Sequence, residues 1–164
     1  MNPSIPRLIP LLLLSGDKLV KTVNFGSESY VGDPVNVISI FNEFEVDEII
    51  VTDISRSKNP HIQGPRNSLE EIVSECFIPM AFGGGIRTAD EAEKIVSLGV
   101  EKIVLNSLIF EKPNEVRETV RRLGSQAVVA ALDFRINSSG IFEVWSRSGT
   151  QRVPMTVEEW CERV

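Results

Sequence analysis

Short, nearly continuous apolar runs alternate with longer amphipathic segments along the whole chain. The short runs are Leu8 to Leu14, Ile49 to Ile54, Pro79 to Phe82, Lys102 to Leu105 and Ala127 to Leu132. A strand that is apolar at nearly every position suits a parallel sheet covered on both faces, because both of its sides must be dry. The segments between the runs carry helix start signals. Asp33-Pro34 sets a capping side chain ahead of a proline with a preset φ, and Val37, Ile40, Phe41 and Phe44 then recur at helical spacing. Ser68 to Glu71 and Thr88 to Glu91 read as capping boxes, and Gly99 follows the end of the second of these helices. Pro113 opens a fourth helix and Gly124 closes it. Thr156 to Glu159 opens a fifth.

The expected order is therefore βα four times, then a fifth strand and the start of a fifth helix. Two insertions, Lys18 to Phe25 after the first strand and Gly140 to Trp145 after the fifth, read as short hairpin arms. Their matching places suggest an internal half-barrel repeat. Strict βα alternation leaves an open doubly wound sheet or a closed (β/α)8 barrel. No GxGxxG fingerprint opens the chain, and Gly83-Gly84-Gly85 does not supply one, so the α/β fold expected is the barrel. A barrel of this type needs about 250 residues. The chain of 164 residues is expected to be one domain, residues 1–164, forming the N-terminal portion of such a barrel. An open half-barrel exposes strand edges and an apolar interior, so either more chain or a second half is expected to cover it.

A net charge of −6 argues against a nucleic-acid partner, which calls for a basic face. No apolar run reaches the roughly 20 residues that span a bilayer. Cys76 and Cys161 lie far apart without CxxC spacing, so neither a disulfide framework nor a zinc site is expected, and a reducing cytoplasm is the default compartment. His61 sits in a polar, proline-containing stretch and is expected to be a solvated loop residue. No metal and no cofactor are expected.

In a (β/α)8 barrel the chemistry sits at the C-terminal strand ends. The first strand ends at Leu13-Leu14, the second at Asp53, the third at Gly83-Gly84-Gly85, the fourth at Asn106-Ser107 and the fifth at Asp133. Glycines let backbone N–H groups approach an anion closely, and Asn106 and Ser107 add side-chain donors on the adjacent strand, so together they are expected to bind one phosphate. Asp133, beside an apolar interior, is either a general acid or base with a shifted pKa or a structural carboxylate paired with Lys21. Asp53 is better suited to ordering its loop through Ser55 or Arg56, although its strand-end place sets it among the candidate binding residues. Arg7, Glu48 and Lys102 fall at the opposite mouth, where spacing alone implies only stabilising ion pairs.

Taken together, these pieces resemble the cyclase subunit of imidazole glycerol phosphate synthase. The resemblance runs from Arg7 to the end of the chain. It rests on Arg-Leu-Ile-Pro at 7–10, Val-Lys-Thr-Val-Asn-Phe at 20–25, Gly-Asp-Pro at 32–34, Val-Asp-Glu-Ile at 46–49, Asp53, Gly-Gly-Gly-Ile-Arg at 83–87, Glu-Lys-Ile-Val-Leu-Asn-Ser at 101–107 and Gly-Ser-Gln-Ala-Val-Val at 124–129. It implies that Gly85, Asn106 and Ser107 form a phosphate site and that Lys21 helps cover a phosphorylated small-molecule substrate. Asp133 is then one of two catalytic aspartates. Arg7, Glu48 and Lys102 are three members of a charged gate that admits ammonia from a glutaminase partner, forming a heterodimer at the N-terminal mouth.

One departure stands out. Where the family reads Ile-Pro-Cys-Leu-Asp, this chain reads Ile-Pro-Leu-Leu-Leu-Leu at 9–14, so the second acid falls on Leu13. The internal repeat supports that placement, since Pro10-Leu11-Leu12-Leu13 aligns with Ala130-Ala131-Leu132-Asp133. Losing a general acid or base lowers a rate by about 10²–10⁴-fold. A branch of the family with such leucines accompanies a sugar amidotransferase in surface-polysaccharide synthesis, and this chain is similar to it. The expectation is an ammonia-relaying paralogue. The alternatives are a competent histidine-pathway cyclase, the sister phosphoribosyl isomerase, and a non-catalytic interaction half-barrel.

Overall fold

A computed structural model describes residues 6–58 and 67–164. His61 lies outside them, and the side chain of Ser68 is not among those described. The chain runs through β1 (Leu11–Ser15), β2 (Lys18–Thr22), β3 (Glu28–Gly32), α1 (Pro34–Glu43), β4 (Ile49–Asp53), α2 (Ile54–Lys58), α3 (Asn67–Glu75), β5 (Met80–Gly83) and α4 (Ala89–Ser97). It continues through β6 (Lys102–Leu105), α5 (Ser107–Glu111), α6 (Pro113–Leu123), a 3-10 turn (Ser125–Ala127), β7 (Val128–Ala130), β8 (Asp133–Ile136), β9 (Phe142–Ser146), β10 (Gln151–Arg152) and α7 (Val157–Arg163).

Strands β1, β4, β5, β6 and β7 are parallel neighbours in that order. Helices connect them, so the architecture is that of a partial (β/α)8 barrel. Both arms are present. β2 and β3 fold back antiparallel beside β1, and β8, β9 and β10 form a separate antiparallel sheet after β7.

The register separates the two faces of the sheet. Leu12, Val51, Phe82, Ile103 and Val128 form one row, and Leu13, Thr52, Gly83, Val104 and Val129 form the next, pointing the other way. Val51, Phe82 and Ile103 are fully buried under the helices, where they join Ile38, Ile72, Ile95 and Leu108 in one hydrophobic cluster. On the opposite face, Leu11 is 60% exposed, and Leu13, Ile50, Thr52 and Val104 are only half-buried. The core of the described residues thus lies between sheet and helices, and the barrel-lining face is the wetter one.

The caps formed largely as their chemistry requires. Asp33 accepts a hydrogen bond from the Asn36 N–H ahead of Pro34, and Thr156 and Glu159 form a reciprocal box. At α4 the box is altered. Thr88 accepts from the Glu91 N–H, but the Glu91 carboxylate accepts from the Arg87 N–H, one residue before the cap. α3 begins at Asn67, so Ser68 lies inside its first turn rather than ahead of it. The first strand starts at Leu11 rather than Leu8. The fifth spans only Val128–Ala130, because the chain leaves the ladder after the Ala131 N–H bonds to the Leu105 carbonyl at 2.8 Å. Two five-residue helices, α2 and α5, had no periodic signal.

Candidate functional site

The loop after β5 is held by close packing. Gly84 and Gly85 have φ of 103° and 63°, where a side chain is strained. A Cβ at Gly83 would lie 2.7 Å from the Val104 carbonyl oxygen on β6. One at Gly84 would lie 2.1 Å from the Asp53 carbonyl oxygen on β4, and one at Gly85 would lie 2.5 Å from the Arg56 Cβ on α2. The triplet therefore threads between three elements. Asp53 supports it from below. Its Oδ1 accepts from the Ser55 N–H, the Ser55 hydroxyl and the Arg56 N–H at 2.9, 2.6 and 3.2 Å, which orders the start of α2. Asp53 is fully buried and shares the parity of Leu14, so its carboxylate is engaged behind the loop rather than presented with Gly84 and Gly85.

Asn106 and Ser107 follow β6, the strand paired with β5. Asn106 Nδ2 donates to the Ala131 carbonyl at 3.1 Å, and its Oδ1 is buried with no protein partner. The Ser107 hydroxyl oxygen accepts from the Arg147 N–H at 3.1 Å, which leaves its proton to be donated elsewhere. That contact ties the second arm to the strand end, and Arg147 Nε adds a 2.6 Å bond to Glu111. The arms also meet each other. The Arg135 guanidinium lies 4.4 Å from the Trp145 ring centroid and 5.8 Å from that of Phe25, and it donates to the Gly149 carbonyl at 2.7 Å.

Leu13 and Asp133 occupy equivalent feet of the two arms. Leu13 sits opposite Val20 on β2, and Asp133 sits opposite Trp145 on β9. Burial alone, with no neighbouring charge, raises the Asp133 carboxyl above its ordinary value. Lys21 is exposed on β2 opposite Ser29, and it forms no ion pair with Asp133. A raised pKa means that the folded state holds the proton more tightly than the unfolded chain. Stability is then fully present below the ordinary carboxyl range and falls as pH rises through the folded value. Asp133→Asn removes that penalty. Thermal melts from about pH 3 to about pH 7 are expected to show no difference at the acid end and a gain of roughly 2 °C at the neutral end. A loss at neutral pH would mean that the carboxylate is structurally paired.

At the N-terminal strand ends a single carboxylate joins two cations. Glu48, 4% exposed, accepts from Arg7 Nη2 at 2.7 Å and from Lys102 Nζ at 2.7 and 2.8 Å. Burial pushes its pKa up, but the hydrogen bonds and charges of Lys102 and Arg7 outweigh it, and the carboxyl ends below its ordinary value. The structure thus joins Arg7, Glu48 and Lys102 at one set of strand ends and sets Gly84, Gly85, Asn106 and Ser107 on adjacent strand ends at the other, while Lys21 stays exposed on its arm and the Asp53 carboxylate is engaged elsewhere. Arg56, Glu91 and Arg135 also take part around the loops. The sequence marked Arg56 only as a partner of Asp53 and Glu91 only as a capping residue, and it did not mark Arg135; the Arg56–Glu91 and Arg135–Gly149 contacts join distant segments.

Among the described residues, no group of His, Cys, Asp and Glu could hold a metal ion, and no helix is long and apolar enough to cross a membrane.

Comparison with known proteins adds the family. The model of the family described as "Histidine biosynthesis protein" matches residues 7–164. A Leptospira borgpetersenii protein named "Putative imidazole glycerol phosphate synthase subunit HisF" is 44% identical over 97% of this chain and 63% of its own length. The protein named "Putative imidazole glycerol phosphate synthase subunit hisF2" of Pseudomonas aeruginosa is 45% identical over 95% of this chain and 62% of its own length. The "Imidazole glycerol phosphate synthase subunit HisF" of Alkaliphilus metalliredigens is 35% identical over 96% of this chain and 62% of its own length. The chain spans a little over three fifths of the length of these relatives. With nearly all of its residues matched by the family model and HisF subunits among its relatives, the chain belongs to the histidine biosynthesis protein family, in its HisF branch.

Proposed function

We propose that this HisF-type chain is part of an ammonia-accepting barrel that relays ammonia and does not itself catalyse efficient cyclisation. The observation that carries the proposal is Leu13. It lies half-buried on the barrel-lining face, opposite Val20, at the foot of the first arm. Asp133 stands at the corresponding foot of the second arm, with its pKa raised by burial. Acid–base chemistry that needs two carboxylates finds one, because a leucine can neither accept nor donate a proton.

The remaining parts suit a phosphorylated ligand and an ammonia donor. The backbone of Gly84 and Gly85, the Asn106 amide and the Ser107 hydroxyl would hold a phosphate, with Lys21 covering it from the first arm. Asp53 would act through the loop that it orders. Arg7, Glu48 and Lys102 would form the gate facing a glutaminase partner. Relatives named as subunits of a synthase support the expectation of a partner. The names with suffixes such as hisF2 accord with a divergent branch. A sugar amidotransferase as final acceptor is the reading of that branch that best fits the lost acid. We further propose that residues 1–164 belong to one domain.

The test is ammonia-dependent turnover of the phosphoribulosyl substrate of the synthase. The expected rate is about 10²–10⁴-fold below that of a relative carrying both acids. Turnover within tenfold of such a relative would overturn the relay reading and restore a competent cyclase.

A further inference from the structure

We infer that Trp145 is a positioning residue for Asp133, holding the Arg135 guanidinium on its ring so that the carboxyl stays without a charged partner. The inference rests on the reading of Asp133 as the acid that the chain retains. Asp133, Arg135, Glu143 and Trp145 share one face of the second arm, because Asp133 pairs with Trp145 and Arg135 with Glu143 in the register of β8 and β9. Asp133 is the next residue along that face from Arg135, and Trp145 is its diagonal neighbour across the strands, so both lie within reach of a side chain as long as arginine. The guanidinium takes the ring. Its carbon lies 4.4 Å from the Trp145 centroid, and its Nη2 donates to the Gly149 carbonyl at 2.7 Å. Phe25 of the first arm faces the same cation at 5.8 Å. The position uses the ring of Trp145 and not its indole N–H, which is buried without a partner among the described residues.

A guanidinium beside a carboxylate ordinarily forms a charge-assisted pair, which is stronger than a cation on an aromatic face. Here the ring and the Gly149 carbonyl act together and hold the guanidinium in place of the carboxylate. The other charged groups around the foot of the arm are engaged elsewhere or turned to solvent. Glu143, on the same face, pairs with Arg152 at 3.3 Å, and Arg147, after β9, pairs with Glu111 at 2.6 Å. Lys21 of the first arm is exposed and forms no ion pair with Asp133. The Asp133 carboxyl is therefore left with burial alone, which raises its pKa. A positive charge within about 4–6 Å would favour the carboxylate and undo that rise. Arg135 is the cation closest to Asp133 along its own strand, and the Trp145 ring is what keeps it from neutralising the acid.

The experiment titrates the Asp133 carboxyl directly, by carbon-13 NMR of protein labelled at its aspartate side chains, with Asp133→Asn assigning the signal. Trp145→Leu releases the guanidinium, and the proton affinity of Asp133 is expected to fall about tenfold. Trp145→Phe keeps a ring, and Arg135→Met removes a charge that does not act on Asp133, so each is expected to stay within about threefold of the wild type. The double variant, Trp145→Leu with Arg135→Met, lacks the released charge and is expected to return to within about threefold of the wild type. An unchanged Asp133 in Trp145→Leu overturns the inference. A double variant as low as Trp145→Leu also overturns it, because the ring would then act by burial alone. Arg135→Met decides the matter even if Trp145→Leu does not fold, since a change of about tenfold there would show that the guanidinium already acts on Asp133. A wild-type Asp133 that titrates at or below the ordinary carboxyl range sinks the reading of it as the retained acid, which is a different result from a raised carboxyl indifferent to Trp145.

Discussion

Gly84→Ala is expected to lower stability by roughly 3–5 kcal/mol and to abolish phosphate binding. The added Cβ would stand 2.1 Å from the Asp53 carbonyl oxygen, 2.7 Å from its carbonyl carbon and 2.8 Å from its nitrogen. All three are backbone atoms of a central strand, so no rotamer change relieves the clash. The φ of 103° adds strain of its own. The loop must then leave β4, and the backbone amides move with it. Gly140→Ala is the control. Its φ is 78°, but its Cβ would meet nothing within 4 Å, so the loss is expected to stay near about 1 kcal/mol. Urea midpoints of the two variants check this, and equal losses would show that the close approach of β5 and β4 has been misjudged.

Glu48→Gln is expected to lower stability by about 1–3 kcal/mol at neutral pH. The range lies below that of a fully buried pair because Arg7 is 56% and Lys102 29% exposed. The variant leaves both cations beside a neutral amide that cannot match their charge. The pH dependence follows from the lowered carboxyl. Its stabilising effect is fully present above the ordinary value of 4.5 and is lost as pH falls through the folded value. The gap between wild type and variant is therefore expected to be full at pH 7 and to close under acid conditions. A gap that persists at acid pH would assign the loss to packing rather than charge.

What could be read from the sequence was mostly local. Asp33-Pro34, Thr88 and Thr156 announced helix starts because a capping side chain bonds within three residues of itself. The parallel strands were visible because both of their faces must be apolar, and the arms because their segments broke the βα rhythm. What was hidden depends on distant neighbours. The Glu91 carboxylate accepts from the Arg87 N–H rather than the Thr88 N–H, and Arg56 of α2 stands 4.0 Å from the same oxygen. The bonding of Asp53 to Ser55 and Arg56 was itself legible because it is local, and the register with Leu14 adds only the face on which the carboxylate lies. The burial of Arg56 could not be anticipated from a polar stretch such as Ser-Arg-Ser.

The glycine triplet has a consequence for descent. Each of its members is fixed by a different neighbour, so selection against unfolding alone would preserve all three in a lineage that had stopped using the site. A glycine triplet shared between relatives is then a record of shared architecture and says little about shared ligands. Asn106 and Ser107 are less constrained by packing, and in a branch that changes its chemistry they should drift first.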